Sequence, residues 1–455
     1  MVKTLVLAAG MGSRLKSEKV KVLHRIFDKP ILSWVLESLA EVASEEIIVV
    51  CGHQYEAVES FLHAYPVTTV LQEEQLGTGH AVRQVEDHLD DYDGTVLIIN
   101  GDSPLIRAET LNQLVKFHQD NILDMSFLSC NLEHPDGYGR IIRKDGRILA
   151  IKEDKDCSEA ERQIKEVNAG VYCFEWSTIK EGLSKLGNDN AQEEYYLTDL
   201  VAWAYSQGHE IASFNLANPY EVLGVNNRED LSLVWKLQNE ANLHELMQNG
   251  VTIVDPATTF ISPDADIGPD TVILPNTYIQ RRVVIGRGST IGPNTSIFGP
   301  AEIGENSTVI QSHISRSSLG AKANIGPFAH IRDGSDINEN VRIGSFVEVK
   351  NSALADDCAA AHLSYIGDAK LKTGVNIGAG TVVANYDHRT GDKYETTINA
   401  NASTGANSVL VSPIEIGEAS MIAAGSVVTK DVPADTLAIA RPKQEHKTNR
   451  VVAKN

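Results

Sequence analysis

An aliphatic residue recurs at every sixth position through the second half of the chain, and this period limits the possible folds more than any other feature. Isoleucine or valine holds this spacing at Ile261, Ile267, Ile273, Ile279, Ile285, Ile291, Ile297, Ile303 and Val309. The period resumes over 325–349, 371–383 and 398–428. It fits neither an α-helix nor an alternating strand. A period of six is typical of a parallel β-helix, in which each hexapeptide forms a short strand and a corner.

Three segments interrupt this period, at 310–324, 350–370 and 384–397. We expect each of them to be a loop that leaves the β-helix. Loops on a rigid scaffold commonly carry binding and catalytic residues. The interruptions are therefore the places where the second half is expected to carry its function.

The first half of the chain alternates between apolar runs and segments with helical spacing. The runs TLVLA, EIIVV, TVLIIN and MSFLSC predict buried strands, and PILSWVLESLAEVA, GTGHAVRQVEDHL and AETLNQLVKFHQ predict helices between them. This order predicts an α/β domain of Rossmann-like type, with a mostly parallel sheet covered on both faces. The segment REDLSLVWKLQNEANLHELMQ predicts a long helical linker. The expected organisation is a first domain at 1–227, the linker at 228–249 and the β-helix with a basic tail at 250–455.

Charge and composition exclude several classes of function. The net charge of −21 argues against a general nucleic-acid binder. Five scattered cysteines without a CxxC pair predict reduced thiols rather than a metal site, as in cytoplasmic proteins. No apolar stretch approaches 18 residues, and the opening run is too short for a signal peptide. We therefore expect a cytoplasmic protein that binds neither nucleic acid nor a membrane.

The stretch LVLAAGMGSRLKSEKVKVLH places two glycines directly after the first predicted strand. Glycines there let backbone amides approach a phosphate, although most such sequences are only tight turns. Four cations follow within eight residues, at Arg14, Lys16, Lys19 and Lys21. The combination indicates a phosphate-rich ligand. It is neither the ATPase loop, because no GK[ST] follows, nor a complete dinucleotide fingerprint.

Further motifs connect this loop to a known family. LAAGMGSRL…KVLH, LQEEQLGTGHA, GDSPLI, GYGRI, KEDKD, NAG and GVNNR resemble the blocks of sugar-nucleotide pyrophosphorylases, and the β-helix carries HLSYIGDA, NIGAGT and NYD. In this order, over nearly the whole chain, they resemble the bacterial bifunctional N-acetylglucosamine-1-phosphate uridyltransferase/glucosamine-1-phosphate acetyltransferase family. The resemblance implies an N-terminal nucleotidyltransferase domain, a C-terminal left-handed parallel β-helix and a homotrimer. It also implies UDP-N-acetylglucosamine synthesis from UTP and acetyl-CoA, which supplies peptidoglycan and lipopolysaccharide.

Uridylyl transfer requires charge neutralisation and alignment rather than a protein nucleophile. The resemblance implies catalytic roles for Arg14 and Lys21 and a Mg²⁺ ion held by Asp102 and Asn226. It implies UTP or UDP-N-acetylglucosamine contacts to the base at Gln72, Gly77 and Thr78 and to the sugar at Gly139, Glu153 and Asn168. The other implied contacts are Leu7, Ala9, Gly10, Lys21 and Asn226. From the residues alone, Asp102 follows a parallel strand, where such sheets bind ligands, but it could equally cap a helix or belong to a turn. Asn226 alone reads as a turn residue, and Glu153 as part of a solvated charge run.

Acetyl transfer to an amine requires a base, and histidine suits that task near neutral pH. His362 lies in AAAHLSY, although a lone histidine is more often structural. The resemblance makes His362 the base and implies substrate contacts at Arg332, Lys350, Tyr365 and Asn376. It implies acetyl-CoA contacts, with the Ala379 backbone also steadying the oxyanion, at Ala379, Asn385, Tyr386, Ala406, Ala424 and Arg441. The cations after Arg441 belong either to a solvated tail or to a surface for the polyanionic CoA: Lys443, Lys447, Arg450 and Lys454.

The chain departs from the family at a few positions. Val20 stands where proline usually precedes the lysine of KVLH, which is expected to loosen the loop that holds Lys21. Ala406 stands where serine is frequent, and the insertion DHRTGDKYE is slightly long, so acetyl-CoA affinity is less firmly implied than the reaction.

Two other interpretations remain open from the sequence. One is a pyrophosphorylase for another sugar with a regulatory β-helix, against which the HLSY and NYD motifs argue. The other is a non-catalytic subunit that binds nucleotide sugars. Against it stand the retained metal and base positions, which are Lys21, Asp102, Asn226 and His362.

Overall fold

The computed structural model describes residues 2–448, and the chain divides into two compact units, Met1–Gln238 and Asn239–Asn455. The predicted linker helix is present at Arg228–Gln248. The division between the units falls inside this helix rather than at either of its ends.

The N-terminal unit is built from alternating strands and helices. Its strands are β1 (Val2–Ala8), β2 (Arg25–Ile26), β3 (Lys29–Pro30), β4 (Glu46–Cys51), β5 (Thr68–Leu71), β6 (Thr95–Asn100), β7 (Met125–Asn131), β8 (Arg140–Lys144), β9 (Arg147–Lys152), β10 (Glu166–Glu175) and β11 (Ile211–Asn215). Its helices are α1 (Ile31–Ala40), α2 (Tyr55–Leu62), α3 (Thr78–Arg83), α4 (Ala108–Asp120), α5 (Trp176–Leu183) and α6 (Asp199–Gln207), and α7 (Arg228–Gln248) follows. Short 3₁₀ turns lie at Ser13–Leu15, Lys21–Leu23, Glu86–Leu89, Asp154–Asp156, Glu161–Gln163 and Pro219–Val222.

The main sheet has the order β11-β7-β10-β6-β1-β4-β5; β8 also pairs with β10, and β9 pairs with β8. β1 pairs in parallel with β4 and β6, whereas β10 runs antiparallel between β6 and β7. The prediction of a mostly parallel sheet is therefore confirmed. The central strands are continuously apolar because both faces are covered: Leu5 packs in the core on one face and Val6 in the core on the other.

The C-terminal unit is a parallel β-helix, as predicted, whose coils stack into three sheets. The first sheet contains Thr252–Ile253, Val272–Ile273, Thr290–Ile291, Thr308–Val309, Asn324–Ile325, Arg342–Ser345, Ala359–His362, Asn376–Ile377, Ser403–Thr404, Met421–Ile422 and Leu437–Ala438. The second contains Phe260–Ile261, Tyr278–Ile279, Ser296–Phe298, His313–Ser315, His330–Ile331, Glu348–Lys350, Tyr365–Gly367, Val382–Ala384, Val409–Val411 and Val427–Val428. The third contains Asp266–Ile267, Val283–Ile285, Ala301–Ile303, Ser318–Leu319, Asp336–Ile337, Ala353–Leu354, Ala369–Leu371, Thr396–Ile398 and Ile414–Ile416.

The six-residue period is the inner core of this unit. The periodic aliphatic side chains, from Ile261 to Val428, are buried and form one continuous cluster. Each contributes little alone, but together they remove a column of apolar surface from water, which is the main stabilising contribution in such repeats.

Two of the three predicted loops are absent, and that expectation was wrong. Segments 310–324 and 350–370 carry strands of the β-helix, with Ile314 and Leu319 buried in its core. The physical reason is that some steps between buried positions contain five residues, so the sequence leaves the six-residue phase while the coil continues. Segment 384–397 does contain a loop, between Val382–Ala384 and Thr396–Ile398.

Within residues 2–448, no helix is long and apolar enough to cross a membrane. All five cysteines are unpaired and buried. Burial raises the pKa of Cys51 to about 12 and those of Cys130 and Cys358 to about 11, which keeps these thiols protonated and unreactive.

Candidate active sites

A cavity of about 340 Å³ opens at the carboxyl ends of β1 and β6 in the N-terminal unit. It lies at a switch point of the sheet, because the chain continues from β1 to β4 on one side and later returns to β6 on the other. The lining includes eight predicted positions: Leu7, Ala9, Gly10, Lys21, Gln72, Gly77, Thr78 and Asp102. The structure therefore brings most of the predicted nucleotide contacts together around one space.

Two glycines of the first loop have different structural roles. Gly12 has φ 62°, and a Cβ there would lie 2.7 Å from the Cβ of Lys21, so this loop needs glycine to pack against the lysine. A Cβ at Gly10 would meet nothing within 4 Å. The space beside Gly10 is part of the cavity, and a bare backbone there leaves room for a ligand oxygen.

A polar network joins the first loop to Asn226, which lies near the end of the N-terminal unit in sequence. The Lys21 ammonium donates to the Asp102 carboxylate and to Asn226 Oδ1, the latter at 3.0 Å. Arg14 also donates to Asn226 Oδ1 at 3.0 Å. The side-chain nitrogen Nδ2 of Asn226 donates to the Gly224 carbonyl at 3.3 Å, which turns the side-chain oxygen toward the two cations. Residues more than 200 positions apart in sequence thus converge on one point.

The chemistry of this network fits a magnesium ion. Asp102 supplies a carboxylate and Asn226 a carbonyl oxygen, and both point at the Lys21 ammonium. In the described part of the chain, no group of three or more His, Cys, Asp or Glu residues could hold a metal. Mg²⁺ commonly uses one or two protein oxygens and completes its shell with water and substrate phosphates, so this pair suffices.

The predicted base-binding positions form a separate wall of the cavity. Gln72 is buried, and its Nε2 donates to the Gly77 carbonyl at 3.2 Å and lies 2.9 Å from His80 Nδ1. Gly77 has φ 110°, and a Cβ there would lie 2.6 Å from the Tyr195 carbonyl oxygen, so only glycine fits. Thr78 Oγ1 accepts from the Leu197 amide at 3.0 Å, which fixes the first turn of α3.

The three predicted sugar contacts lie together but do not line this cavity. The Asn168 amide donates to the Gly139 carbonyl at 2.8 Å, and a Cβ at Gly139 would lie 3.5 Å from Glu153 Oε1. Glu153 accepts from Thr198 at 2.9 Å, and burial raises the pKa of this carboxyl above its ordinary value. Glu153 therefore does not lie on a solvated surface, which is what its charge run suggests.

Sequence reasoning missed three polar residues of the cavity: Gln75, Asn100 and Glu194. Burial raises the pKa of Glu194. Asn100 could have been found, because it ends the predicted strand TVLIIN at the carboxyl edge of a parallel sheet. Glu194 follows no such signal, since it reaches the cavity from a long segment between α5 and α6.

In the β-helix, five predicted acetyl-transfer residues lie along the corner that follows the first sheet. The carbonyls of His362, Ala379 and Ala406 accept from the amides of Gly380, Asn407 and Gly425 at 3.2, 2.7 and 2.8 Å. Arg441 then donates to the Ala424 carbonyl at 2.8 Å. His362 ends the strand Ala359–His362 and is exposed, so its ring is accessible rather than part of the core.

A cationic patch lies beside this corner on the second sheet. Arg332 donates to Glu348 at 2.7 Å, and Glu348 is the strand neighbour of Tyr365. The neighbouring cations Lys393 and Arg332 lower the pKa of the Lys350 ammonium. Concentrated positive charge of this kind suits a phosphate group. The remaining predicted substrate residue lies on the first sheet, where Asn376 pairs with Ala359.

Lys393 was not among the predicted site residues. It lies in the loop at 385–395, and Tyr386 forms an isolated antiparallel bridge with it. No motif marks Lys393, because its place beside Lys350 depends on how this irregular loop folds back. At the loop base, Asn385 is buried and donates through its side chain to Asp368. In the basic tail, Lys443 and Lys447 are exposed, whereas Arg450 and Lys454 lie outside the described residues.

Comparisons with known proteins agree with this division of the chain. Residues 3–220 match the family described as nucleotidyl transferase, and residues 264–299 match the family described as bacterial transferase hexapeptide (six repeats). The chain is 42% identical over 452 residues to the bifunctional protein GlmU of Halalkalibacterium halodurans, covering 99% of this chain and 98% of the relative. It is 43% identical over 448 residues to that of Carboxydothermus hydrogenoformans, covering 98% and 99%.

A third relative, the bifunctional protein GlmU of Synechococcus elongatus, is 44% identical over 446 residues, which cover 98% of this chain and 97% of the relative. All three similarities extend through the cavity of the N-terminal unit and the stacked corner of the β-helix. The chain therefore belongs to the GlmU family of bifunctional transferases.

Proposed function

We propose that the protein makes UDP-N-acetylglucosamine by two transfers at two separate sites. The β-helix moves an acetyl group from acetyl-CoA to glucosamine 1-phosphate, and the N-terminal unit then joins the acetylated product to UMP from UTP. The observation that carries the proposal is the presence of two cationic networks, one of Arg14 and Lys21 around Asn226 and one of Arg332, Lys350 and Lys393. Each network lies within a different unit of the chain.

In uridylyl transfer, a phosphate oxygen of N-acetylglucosamine 1-phosphate attacks the α-phosphorus of UTP, and the bond to pyrophosphate breaks. Arg14 and Lys21 neutralise charge as it shifts toward the leaving group. Asp102 and Asn226 would hold Mg²⁺, which adds charge neutralisation when it is bound. Gln72, Gly77 and Thr78 bind the base, and Leu7, Ala9 and Gly10 line the nucleotide path. The sugar contacts are Gly139, Glu153 and Asn168.

In acetyl transfer, the amine nitrogen of glucosamine 1-phosphate attacks the thioester carbonyl while His362 accepts the amine proton. The carbon–sulfur bond then breaks, and the CoA thiolate takes a proton from the imidazolium, so the histidine is regenerated. Arg332 and Lys350 bind the phosphate, and the Ala379 amide steadies the oxyanion. Tyr365 and Asn376 contact the sugar ring. The acetyl-CoA contacts are Asn385, Tyr386, Ala406, Ala424 and Arg441.

We further propose a homotrimer in which acetyl sites lie between chains. Support comes from an apolar column beside His362, formed by Phe328, Phe346 and Leu363 and hereafter called the apolar column. These side chains are 51%, 61% and 63% exposed, and all three residues have positive φ. A left-handed backbone costs a bulky residue roughly 1–2 kcal/mol, and exposed aromatic surface adds to that cost. Contact with a second copy of the chain would offset both the backbone cost and the cost of exposed aromatic surface.

A panel of nucleotides and sugar phosphates tests the two-site function, with pyrophosphate release and CoA-thiol release measured separately. UTP with N-acetylglucosamine 1-phosphate should release pyrophosphate, and acetyl-CoA with glucosamine 1-phosphate should release thiol. Pyrophosphate release with a different nucleotide and no thiol release would instead support a pyrophosphorylase with a regulatory β-helix. The absence of both would support a non-catalytic subunit.

A further inference from the structure

Asp368 occupies the corner between the second and third sheets, directly beneath the loop at 385–395. Its Oδ1 accepts from Asn351 Nδ2 at 2.5 Å, and its other oxygen accepts from Asn385 Nδ2. Its backbone carbonyl accepts from the Thr396 amide at 3.1 Å. One residue therefore binds the position where the loop leaves the coil and the position where it returns.

The rest of the loop is held by contacts within itself and by one surface ion pair to the coil. Its internal contacts include the Tyr386–Lys393 bridge and a 2.9 Å bond from the Asp387 amide to the Asp392 carbonyl. An isolated two-stranded hairpin of this size is only marginally stable in water. The ion pair between Lys370 and Glu395 is half exposed on both sides, and such surface pairs contribute little. The loop base thus depends on Asp368 for a partly buried, charge-assisted contact.

The loop places a cation where the substrate phosphate is proposed to bind. Lys393 and Asp368 line one cavity, and the Asp368 amide donates to the Lys350 carbonyl at 3.0 Å, so Lys393 lies near Lys350. Lys393 is also the largest cause of the lowered pKa of Lys350. Two ammonium groups repel each other, so the loop would move away from Lys350 unless something held its base. The Asp368 carboxylate opposes that repulsion, since its charge raises the pKa of Lys350.

We propose that Asp368 is a positioning residue for acetyl transfer, which anchors the 385–395 loop so that Lys393 shares the sugar phosphate with Lys350. Asp368 touches neither substrate in this account, and it acts through Asn385 and the loop ends. This inference rests on the proposed acetyltransferase function, but the anchoring of the loop can be measured without it.

The test replaces Asp368 by asparagine. Asparagine has one acceptor oxygen instead of two, so its side-chain NH₂ group must face the NH₂ group of either Asn351 or Asn385. Asparagine holds left-handed corners elsewhere in the same β-helix, at Asn340 and Asn351, so the variant is expected to fold. We expect the KM for glucosamine 1-phosphate to rise at least about tenfold, with a smaller change in kcat. Trypsin should cleave after Arg389 and Lys393 at least about fivefold faster, and pyrophosphate release should be unchanged.

Asp357→Asn is the matched control. Asp357 is also a left-handed corner carboxylate and accepts from Asn340 Nδ2 at 2.6 Å, but no loop is attached to it. Its kinetics and cleavage rate should match the unaltered protein. If Asp368→Asn does not fold, Asp368→Gly keeps the left-handed backbone and removes the carboxylate.

Three results would overturn the inference: an unchanged KM, an unchanged cleavage rate, or equal effects in the Asp357 control. Faster cleavage with an unchanged KM would show that the loop is anchored but does not position the phosphate site. If the unaltered protein shows no thiol release, the proposed function fails, and the cleavage comparison still decides whether Asp368 anchors the loop.

Discussion

Carboxyl groups of the N-terminal unit, Glu153 and Glu194 among them, lie in surroundings that do not favour their charged state. Glu153 is the clearest example, because burial raises its pKa although the Thr198 hydroxyl donates to it. The neighbouring carboxylates Asp199, Asp156 and Glu194 raise its pKa further. A buried carboxylate of this kind destabilises the fold at neutral pH and is expected where binding requires it.

Replacing Glu153 by glutamine should therefore stabilise the N-terminal unit at neutral pH. The folded-state pKa of Glu153 is raised, so the native protein loses stability as pH rises from the unfolded-state pKa through the folded-state pKa. The advantage of glutamine should be full above that window and absent below it. Thermal unfolding at pH 7.5 and at pH 4 should show this difference, while the KM for N-acetylglucosamine 1-phosphate rises. Equal stabilisation at both pH values would contradict a raised pKa for Glu153 in the folded protein.

At the scale of elements, the repeating positions of the fold were predictable from the sequence, whereas the irregular steps and segments were not. The inward residues of the β-helix were predictable because burial imposes the six-residue period, whereas the five-residue steps around Ile314 and Leu319 carry no such signal. Asp102 was predictable because it follows a parallel strand. Lys393 and Glu194 were not, since their positions depend on irregular segments whose path is set by tertiary contacts.

The 3₁₀ turn that carries Lys21 gives a prediction at this scale. Val20 precedes this turn with φ −52° and ψ 136°, angles that proline also adopts. Val20 is buried and Lys21 reaches Asp102, so this turn packs in place without proline. Val20→Pro should stabilise the N-terminal unit by about 0.4–1 kcal/mol through a less flexible unfolded chain. Urea unfolding measures this gain in stability. A loss of pyrophosphate release would show that proline at position 20 is not compatible with the nucleotide site.

On the scale of the whole molecule, one chain carries two transferases in two units of unrelated architecture. The acetyl site additionally involves assembly in our proposal, because the apolar column adjoins His362. Phe346→Lys should place a charge in the proposed contact and give monomers by light scattering. Thiol release should then fall with assembly, while pyrophosphate release persists. A trimer that survives with full thiol release would show that the apolar column is not the contact.

Sharing of the acetyl site predicts complementation between variants. We expect His362 and Arg441 of one site to come from different chains, although both lie along one corner of each β-helix. Co-expression of His362→Ala with Arg441→Ala should form mixed trimers in which some sites hold both residues. Thiol release should recover in part relative to either variant alone. A mixed trimer without recovery would place both residues of a site in the same chain.

The central claim is that the two reactions use independent sites, and crossed single variants test it most directly. Pyrophosphate release and CoA-thiol release are measured for Asp102→Ala and for His362→Ala in folded protein. Asp102→Ala should abolish pyrophosphate release, because the metal site loses its carboxylate, and leave thiol release intact. His362→Ala should slow thiol release by roughly 10²–10⁴-fold, the usual contribution of a general base, with pyrophosphate release unchanged. Equal loss of both activities in either variant would contradict the account.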